Sequence, residues 1–364
     1  MSSAGSVAAS CVADRLTELI AAGREQRLFS AAAWAIGERD RVLTRGQLGT
    51  RAWPEIAAIT DSQPLDSSPL DGTELFDLAS VTKPLVAIVI FALIEEGRLD
   101  LSDTVGELLP EYAAAPVSGR PVAELLLHTS GLPGGVPLFR RAPTRAALLA
   151  EVARLPLLTP PGTRVDYSSQ GFILLGQIAE RTSGLPLQTL ITDLVAAPAR
   201  AGTLQFVPRD ISCVATEFCR WRGHVVQGEV HDENTVVLGG IAGHAGLFGS
   251  LDDMINIAGS LVVNQSERIF LAPTTHQMMI TPRTDRLNLR RSYGWQGIDH
   301  PRSVAGSLIG PGAYGHTGFT GTSIFIDPDR SRWYVLLANR VHPSRDGDGF
   351  ATVRQRFHNV ASQL

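Results

Sequence analysis

Apolar positions along the chain fall into three kinds of pattern. From Val12 to Ala22 they recur at helical spacing through Leu16, Leu19 and Ile20 and stop near Gly23, which predicts a surface helix. Phe29 to Ile36 is a short apolar run, and Arg41 to Leu48 alternates, with Glu38-Arg39-Asp40 as a hairpin turn between them. Leu85 to Ile94 is apolar on every face, the mark of a helix inside a protein, and Gly97 follows it as a stop. Helical patterns also cover Val122–Leu127, Thr144–Leu155, Phe172 to about Gly184, Leu251–Val263 and Phe350–Ala361. Ser292–Gly297, Ala313–Thr317, Ser323–Ile326 and Trp333–Ala338 read as strands, Gln63–Thr73 as a loop, and 185–230 gives no clear pattern.

A helix and hairpin at the start, helices in the middle, then strands and a closing helix predict an α/β (α+β) fold. An antiparallel sheet flanked by helices is built from both chain ends, around an inserted, mostly helical region. The expected division is 1–78 with 264–364 for the sheet portion and 79–263 for the helical portion, with the site between them.

The chain has 364 residues, 44% hydrophobic and 19% charged, with a formal net charge of −4 and no run of like charge. This balance points away from nucleic acid and from an anionic membrane surface as partners. The longest apolar run is about half of the ~20 residues a membrane span needs. No positive segment followed by an apolar stretch opens the chain, so a cytoplasmic location is expected. Cys11, Cys213 and Cys219 are too few and too odd in number for a disulfide framework, and reduced thiols are expected.

Candidate chemistry begins at Ser80-Val81-Thr82-Lys83. A serine and a lysine three apart share one face of a helix, and a hydroxyl needs a nearby base to become a nucleophile. Burial and the positive end of a helix both favour a neutral, proton-accepting amine. By itself S-x-x-K is a common motif, most often with a solvated lysine. Two further segments change its weight: Tyr167-Ser168-Ser169 before the second buried helix, and His316-Thr317-Gly318-Phe319 on a late strand.

These three segments, in this order, resemble the serine β-lactamase and penicillin-binding-protein superfamily. The resemblance is to its class C branch with the related esterases, DD-peptidases and acyltransferases, and it covers the chain from about Phe29 to the last helix. Leu127-His128-Thr129-Ser130-Gly131-Leu132 and Gly243-His244-Ala245-Gly246-Leu247-Phe248 look like further signatures of it. It implies Ser80 as the acylated nucleophile, Lys83 as its proton acceptor or network partner, and Tyr167 as a general base that returns the proton to the leaving group. Backbone N–H groups of Ser80 and Phe319 would hold the oxyanion, with Thr317 and Gly318 lining the pocket beside His316.

Two positions depart from the pattern. Ser169 stands where an asparagine is usual, and it is shorter with one donor. His316 stands where β-lactamases carry lysine, and a histidine is only partly charged near neutrality. Both departures favour a serine hydrolase acting on a small ester or amide, with no cofactor. The alternative is an acyltransferase passing the acyl group to an amine or alcohol. A β-lactamase or DD-peptidase, or an idle ligand sensor, follows behind.

The other motifs are weaker. Gly310–Gly315 matches G-x-G-x-x-G literally but precedes a strand rather than a helix, so it reads as a turn. No G-x-S-x-G elbow or P-loop occurs. His231, Asp232 and His244 match no zinc spacing, so no metal is expected. They read as loop hydrogen bonding or as lining of the substrate pocket. His128 reads as structural, and Trp221, Trp295 and Trp333 as core.

Overall fold

The computed structural model describes residues 3–57, 65–208, 212–299 and 303–364, with side chains from residue 11 onward. Helix α1 (Ser3–Glu25) runs two residues past Gly23, and its Leu16 and Ile20 are wholly buried. Strands β1 (Ala31–Glu38) and β2 (Arg41–Gly49) form the hairpin turned at Arg39-Asp40. Of the expected loop Gln63–Thr73, Gln63 and Pro64 lie outside the described residues. The rest is irregular and is anchored by Arg51, which pairs with Asp66 at 3.1 Å and Asp71 at 2.6 Å.

One sheet of seven strands runs β2-β1-β12-β11-β10-β9-β8, antiparallel at every pairing. Its later strands are β8 (Arg291–Ser292), β9 (Trp295–Gly297), β10 (Tyr314–Thr317), β11 (Ser323–Asp327) and β12 (Arg332–Ala338). The sheet is thus built from both chain ends. Residues Ala31 to Ile36 fail to alternate because both faces of β1 are covered. Ala31, Ala33 and Ala35 feed a core shared with Met254, Ile257 and Leu261, whereas Ala32, Trp34 and Ile36 feed a second core with Leu16, Ile20, Phe350 and Phe357.

Between the chain ends lie α2 (Thr82–Glu95), α3 (Arg145–Arg154), α4 (Ser169–Ser183) and α5 (Glu233–Val237). They are followed by α6 (Leu251–Val263), α7 (Pro273–Ile280) and the closing α8 (Phe350–Ala361). Every residue of α2 from Thr82 to Leu93 is buried, as its all-round apolar pattern requires, and α4 packs beside it. Thr144 caps α3, and Gly184, at φ +75°, ends α4. Helix α6, inside the expected helical portion, lies against the sheet and supplies the residues just named.

A second sheet was not legible in the sequence. Strands β3 (Phe76–Asp77), β7 (Leu247–Gly249) and β4 (Gln205–Phe206) pair in the order β3-β7-β4, and β5 (Phe218–Cys219) pairs with β6 (His224–Val225). Strands of two or three residues are too short to show a period. Trp295 and Trp333 are core residues, at 0% and 1% exposure, but Trp221 is not. It is 46% exposed, with its ring edge-on to Phe139 at 5.1 Å, so the expectation of a core tryptophan fails there. Cys213 and Cys219 are separate buried thiols, and burial pushes Cys213 up to about 12. No helix among the described residues is long and apolar enough to cross a membrane.

Candidate active site

The short sheet sets the position of Ser80. Strand β3 leads into a 3₁₀ turn, Ala79–Val81, that opens α2. Ala79 sits at φ +47°, an unusual backbone conformation for a residue with a side chain. It is held there by the buried Asp77 carboxylate, whose Oδ1 accepts the Ala79 N–H at 2.7 Å. Thr320 Oγ1 donates to the Asp77 carbonyl at 2.7 Å, and Thr322 Oγ1 donates to the Leu78 carbonyl at 3.0 Å. The end of β10 is thereby drawn against the serine turn. Only a glycine fits at 318, because a Cβ there would lie 2.5 Å from the Leu78 carbonyl oxygen.

Lys83 is fully buried, and its Nζ donates to Ser80 Oγ and to the His244 carbonyl, both at 2.9 Å. The same Nζ lies 4.9 Å from the centroid of the Tyr167 ring. The tyrosine is placed by its neighbours. His128 Nδ1 accepts the Ser168 N–H at 3.1 Å, and its ring lies against Tyr167 at 4.6 Å. Ser168 Oγ donates to the Pro133 carbonyl and accepts the Gly171 N–H, capping α4. Burial, and then the nearby cations, hold His128 well below its ordinary pKa, so it acts here as a neutral acceptor.

His316 lies on β10, 5.9 Å from Tyr167 between ring centroids. Its Nδ1 is 2.9 Å from the Thr317 carbonyl, an atom that only accepts, so Nδ1 carries the proton. Burial, with Lys83 and Arg291 adding to it, lowers its pKa to about 3. The imidazole is therefore neutral and presents Nε2 as an acceptor. It offers the cleft no cation at the position where a lysine would stand.

Two clefts meet at Ser80. The larger, about 530 Å³, is lined by Ser80, Tyr167, Arg291 and the stretch His316, Thr317, Gly318 and Phe319, with Arg340 and Arg354 beside that stretch, donating to the Phe319 and Gly318 carbonyls. The other, about 300 Å³, is lined by Ser80, Ser169, His231, Asp232, His244 and Phe319. The candidate catalytic, oxyanion and pocket residues thus come to one place, with Lys83 beneath Ser80. Asp232 and His244 are turned toward each other, Nε2 to Oδ1 at 2.9 Å, and Asp232 also caps α5 through the Thr235 N–H. Burial opposes the Asp232 carboxylate, yet His244 and Thr235 outweigh it and hold the carboxyl well below the usual range.

Sequence reasoning missed Asp77 and Arg291. An aspartate can accept from the backbone N–H two residues on and so set a turn, which is the local signal that marks Asp77. Nothing local marks Arg291. Glu217, Cys219 and Glu233 bring three ligand atoms within 4.8 Å of one another, but both carboxylates are held by Arg345 Nη2, which accounts for the cluster.

Comparison with known proteins decides the family: a model described as Beta-lactamase matches residues 16–356. The chain belongs to the beta-lactamase family. This is the serine β-lactamase and penicillin-binding-protein superfamily, a family of serine-hydrolase type. A protein named N-acetylmuramyl-L-alanine amidase from Bacillus subtilis (strain 168) is 30% identical over 310 residues, covering 74% of this chain and 68% of that one. Among solved structures, EstCE1, described as a hydrolase with promiscuous acyltransferase activity, superposes with a TM-score of 0.78 at 20% identity, covering 98% of this chain and 100% of that one. A family VIII carboxylesterase superposes with a TM-score of 0.71 at 20% identity, covering 96% and 97%. At these identities the two structures show a shared fold.

Proposed function

We propose that this beta-lactamase-family chain is a serine hydrolase that cleaves a small ester or amide through a covalent acyl-enzyme on Ser80. One observation carries the reading: a fully buried lysine donates to Ser80 Oγ at 2.9 Å where two clefts meet. Ser80 Oγ attacks the substrate carbonyl carbon, and its proton passes to the Lys83–Tyr167 pair. The Ser80 and Phe319 amides hold the oxyanion. Collapse breaks the bond to the leaving group, which takes the proton back from Tyr167. Water then attacks the acyl ester, releases the acid and restores the Ser80 hydroxyl.

Tyr167 and the H-T-G stretch line the larger cleft, so it takes the leaving group, and the cleft of Ser169 and His231 takes the acyl chain. The neutral His316 itself supplies no charge for a carboxylate, and the cations of that cleft are Arg291, Arg340 and Arg354. The size of the larger cleft supports a second reading, acyl transfer, in which an amine or alcohol enters after the leaving group departs.

Intact-mass measurement with p-nitrophenyl esters tests the proposal. An acyl adduct on the wild-type chain, absent in Ser80→Ala together with turnover, is the expected result. Undiminished hydrolysis by Ser80→Ala would rule Ser80 out as the nucleophile. Adduct decay accelerated by added amines, with an amide as product, selects the transfer reading over hydrolysis.

A further inference from the structure

Asp232 lines the smaller cleft beside Ser80, and its side chain is 33% exposed. Its two oxygens are used unequally. Oδ1 accepts the Thr235 N–H at 2.8 Å and the Thr235 hydroxyl at 3.0 Å, and it faces His244 Nε2 at 2.9 Å. Oδ2 takes no hydrogen bond among the described residues and is not sealed away from the surface. With Oδ1 turned to Thr235 and His244, the open side of the group is the Oδ2 side. Burial opposes its charge, yet His244 and Thr235 outweigh burial, so the group stands as a carboxylate. A carboxylate oxygen without a partner, in a cleft that holds substrate, is an acceptor for what binds there.

The surrounding charges narrow the chemistry. Arg345, the arginine lining this cleft, is held by both Glu217 and Glu233. Lys83 lies beneath Ser80, and its Nζ is directed at Ser80 Oγ and the His244 carbonyl. Neither cation is paired with Asp232. A substrate carboxylate would be repelled by Asp232 and Glu233. A methyl group would displace water from Oδ2 and give it no donor in return, which is costly for a charged group. A protonated amine brings the opposite charge and three N–H donors, and charge-assisted hydrogen bonds are the strong ones.

We infer that Asp232 selects the acyl group, favouring an acyl chain that bears a protonated amine over the same chain with a methyl in its place. The substrate class is then an ester or amide of an amino acid, which acylates Ser80 through its carboxyl carbon. The inference rests on Ser80 acylation as proposed above, with the smaller cleft as the acyl side.

Three pairs of p-nitrophenyl esters matched in shape test it, with the amine at increasing distance from the carbonyl. They are alanyl, in both enantiomers, against 2-methylpropanoyl, 3-aminopropanoyl against butanoyl, and 6-aminohexanoyl against heptanoyl. Each kcat/KM, taken at about pH 6 where the amines are protonated, is divided by the spontaneous hydrolysis rate of the same ester, so that intrinsic reactivity cancels. In wild type the amine-to-methyl ratio is expected to reach about tenfold or more for at least one pair, the order of one hydrogen bond to a charged group. Asp232→Asn keeps an acceptor for Thr235 but removes the charge, and it should lower that ratio at least about fivefold. A wild-type ratio below tenfold for every pair overturns the inference. So does a smaller drop in Asp232→Asn, including equal losses on both members of a pair, which would make Asp232 structural only. If Asp232→Asn fails to fold, p-nitrophenyl hemisuccinate replaces it, and a normalised wild-type kcat/KM for this carboxylate-bearing ester at or above those of the amines overturns the inference. All of these results leave Ser80 chemistry in place as long as the butanoyl ester acylates the wild-type chain. A wild-type chain that no ester of the set acylates sinks the hydrolase reading and this one with it.

Discussion

Replacing Asp77 should separate fold stability from catalytic alignment. Its carboxylate accepts two buried amide N–H groups, from Ala79 at 2.7 Å and from His231 at 2.6 Å. Asp77→Ala leaves both without an acceptor, a cost of about 1–3 kcal/mol each, or about 2–6 kcal/mol together. That cost is offset in part, because burial disfavours the charged carboxylate and pushes its pKa up to about 6. The expected loss therefore lies near the lower end of that range. Asp77→Asn keeps one acceptor and should lose about half as much. The effect on rate should exceed the effect on stability, because the Ala79 backbone is held at φ +47° by this side chain and Ser80 follows it directly. Urea unfolding gives the first quantity, and initial rates with p-nitrophenyl butyrate between pH 5 and 8 give the second. For wild type, kcat/KM should fall below about pH 6, as Asp77 takes a proton and loses an acceptor site. In Asp77→Asn, kcat should be at least tenfold lower with KM little changed, and the acid limb should be gone. Wild-type rates in Asp77→Asn, or an acid limb that persists there unchanged, would refute the reasoning.

Lys83→Ala and Tyr167→Phe should each lower kcat/KM by about 10²–10⁴, and the double variant should be little worse than the poorer single one, because the two groups serve one proton path. Fully additive losses, read from the same ester assay, would mean that they act separately. Acid should destabilise the fold. Burial holds His231, His276 and His342 at about 4 and His316 and His358 at about 3, all below the ordinary 6.5. Below pH 6.5 the unfolded chain takes up protons that the folded chain refuses, so stability present above that pH is lost as pH falls toward 4, by up to about 1.4 kcal/mol per pH unit and group. Asp77, raised rather than lowered, opposes this between pH 3.8 and 6 but is one group against five. An unfolding free energy that stays level or rises from pH 7 to pH 5 would contradict the assignment of neutral, buried histidines.

Much of the architecture follows from local pattern. The period of 3.6 in α4, the all-round apolar α2, the hairpin turn at Arg39-Asp40 and the caps at Thr144 and Gly184 depend on neighbours a few residues away, which a sequence displays directly. The three-residue spacing of Ser80 and Lys83 is equally local, and it alone brings amine and hydroxyl together. The order of the three motifs carried the family. Beyond that, long-range pairing decided the outcome. In the sheet β3-β7-β4 the pairing of β3 with β7 joins residues more than a hundred positions apart through strands with no period of their own, yet it aims the serine turn. Trp221 looked like any core tryptophan, because a residue type does not say which face its loop will present. The Lys83 bond to the His244 carbonyl and the Asp77 clamp on His231 span more than 150 residues each. Sequence by itself determined the nucleophile candidate, the lysine and tyrosine that accompany it as candidates, and the α/β framework. The tertiary structure decided that burial keeps His316 neutral and that the His231 ring has no hydrogen-bond partner among the described residues, because charge and hydrogen-bond satisfaction depend on what the folded chain packs around each ring.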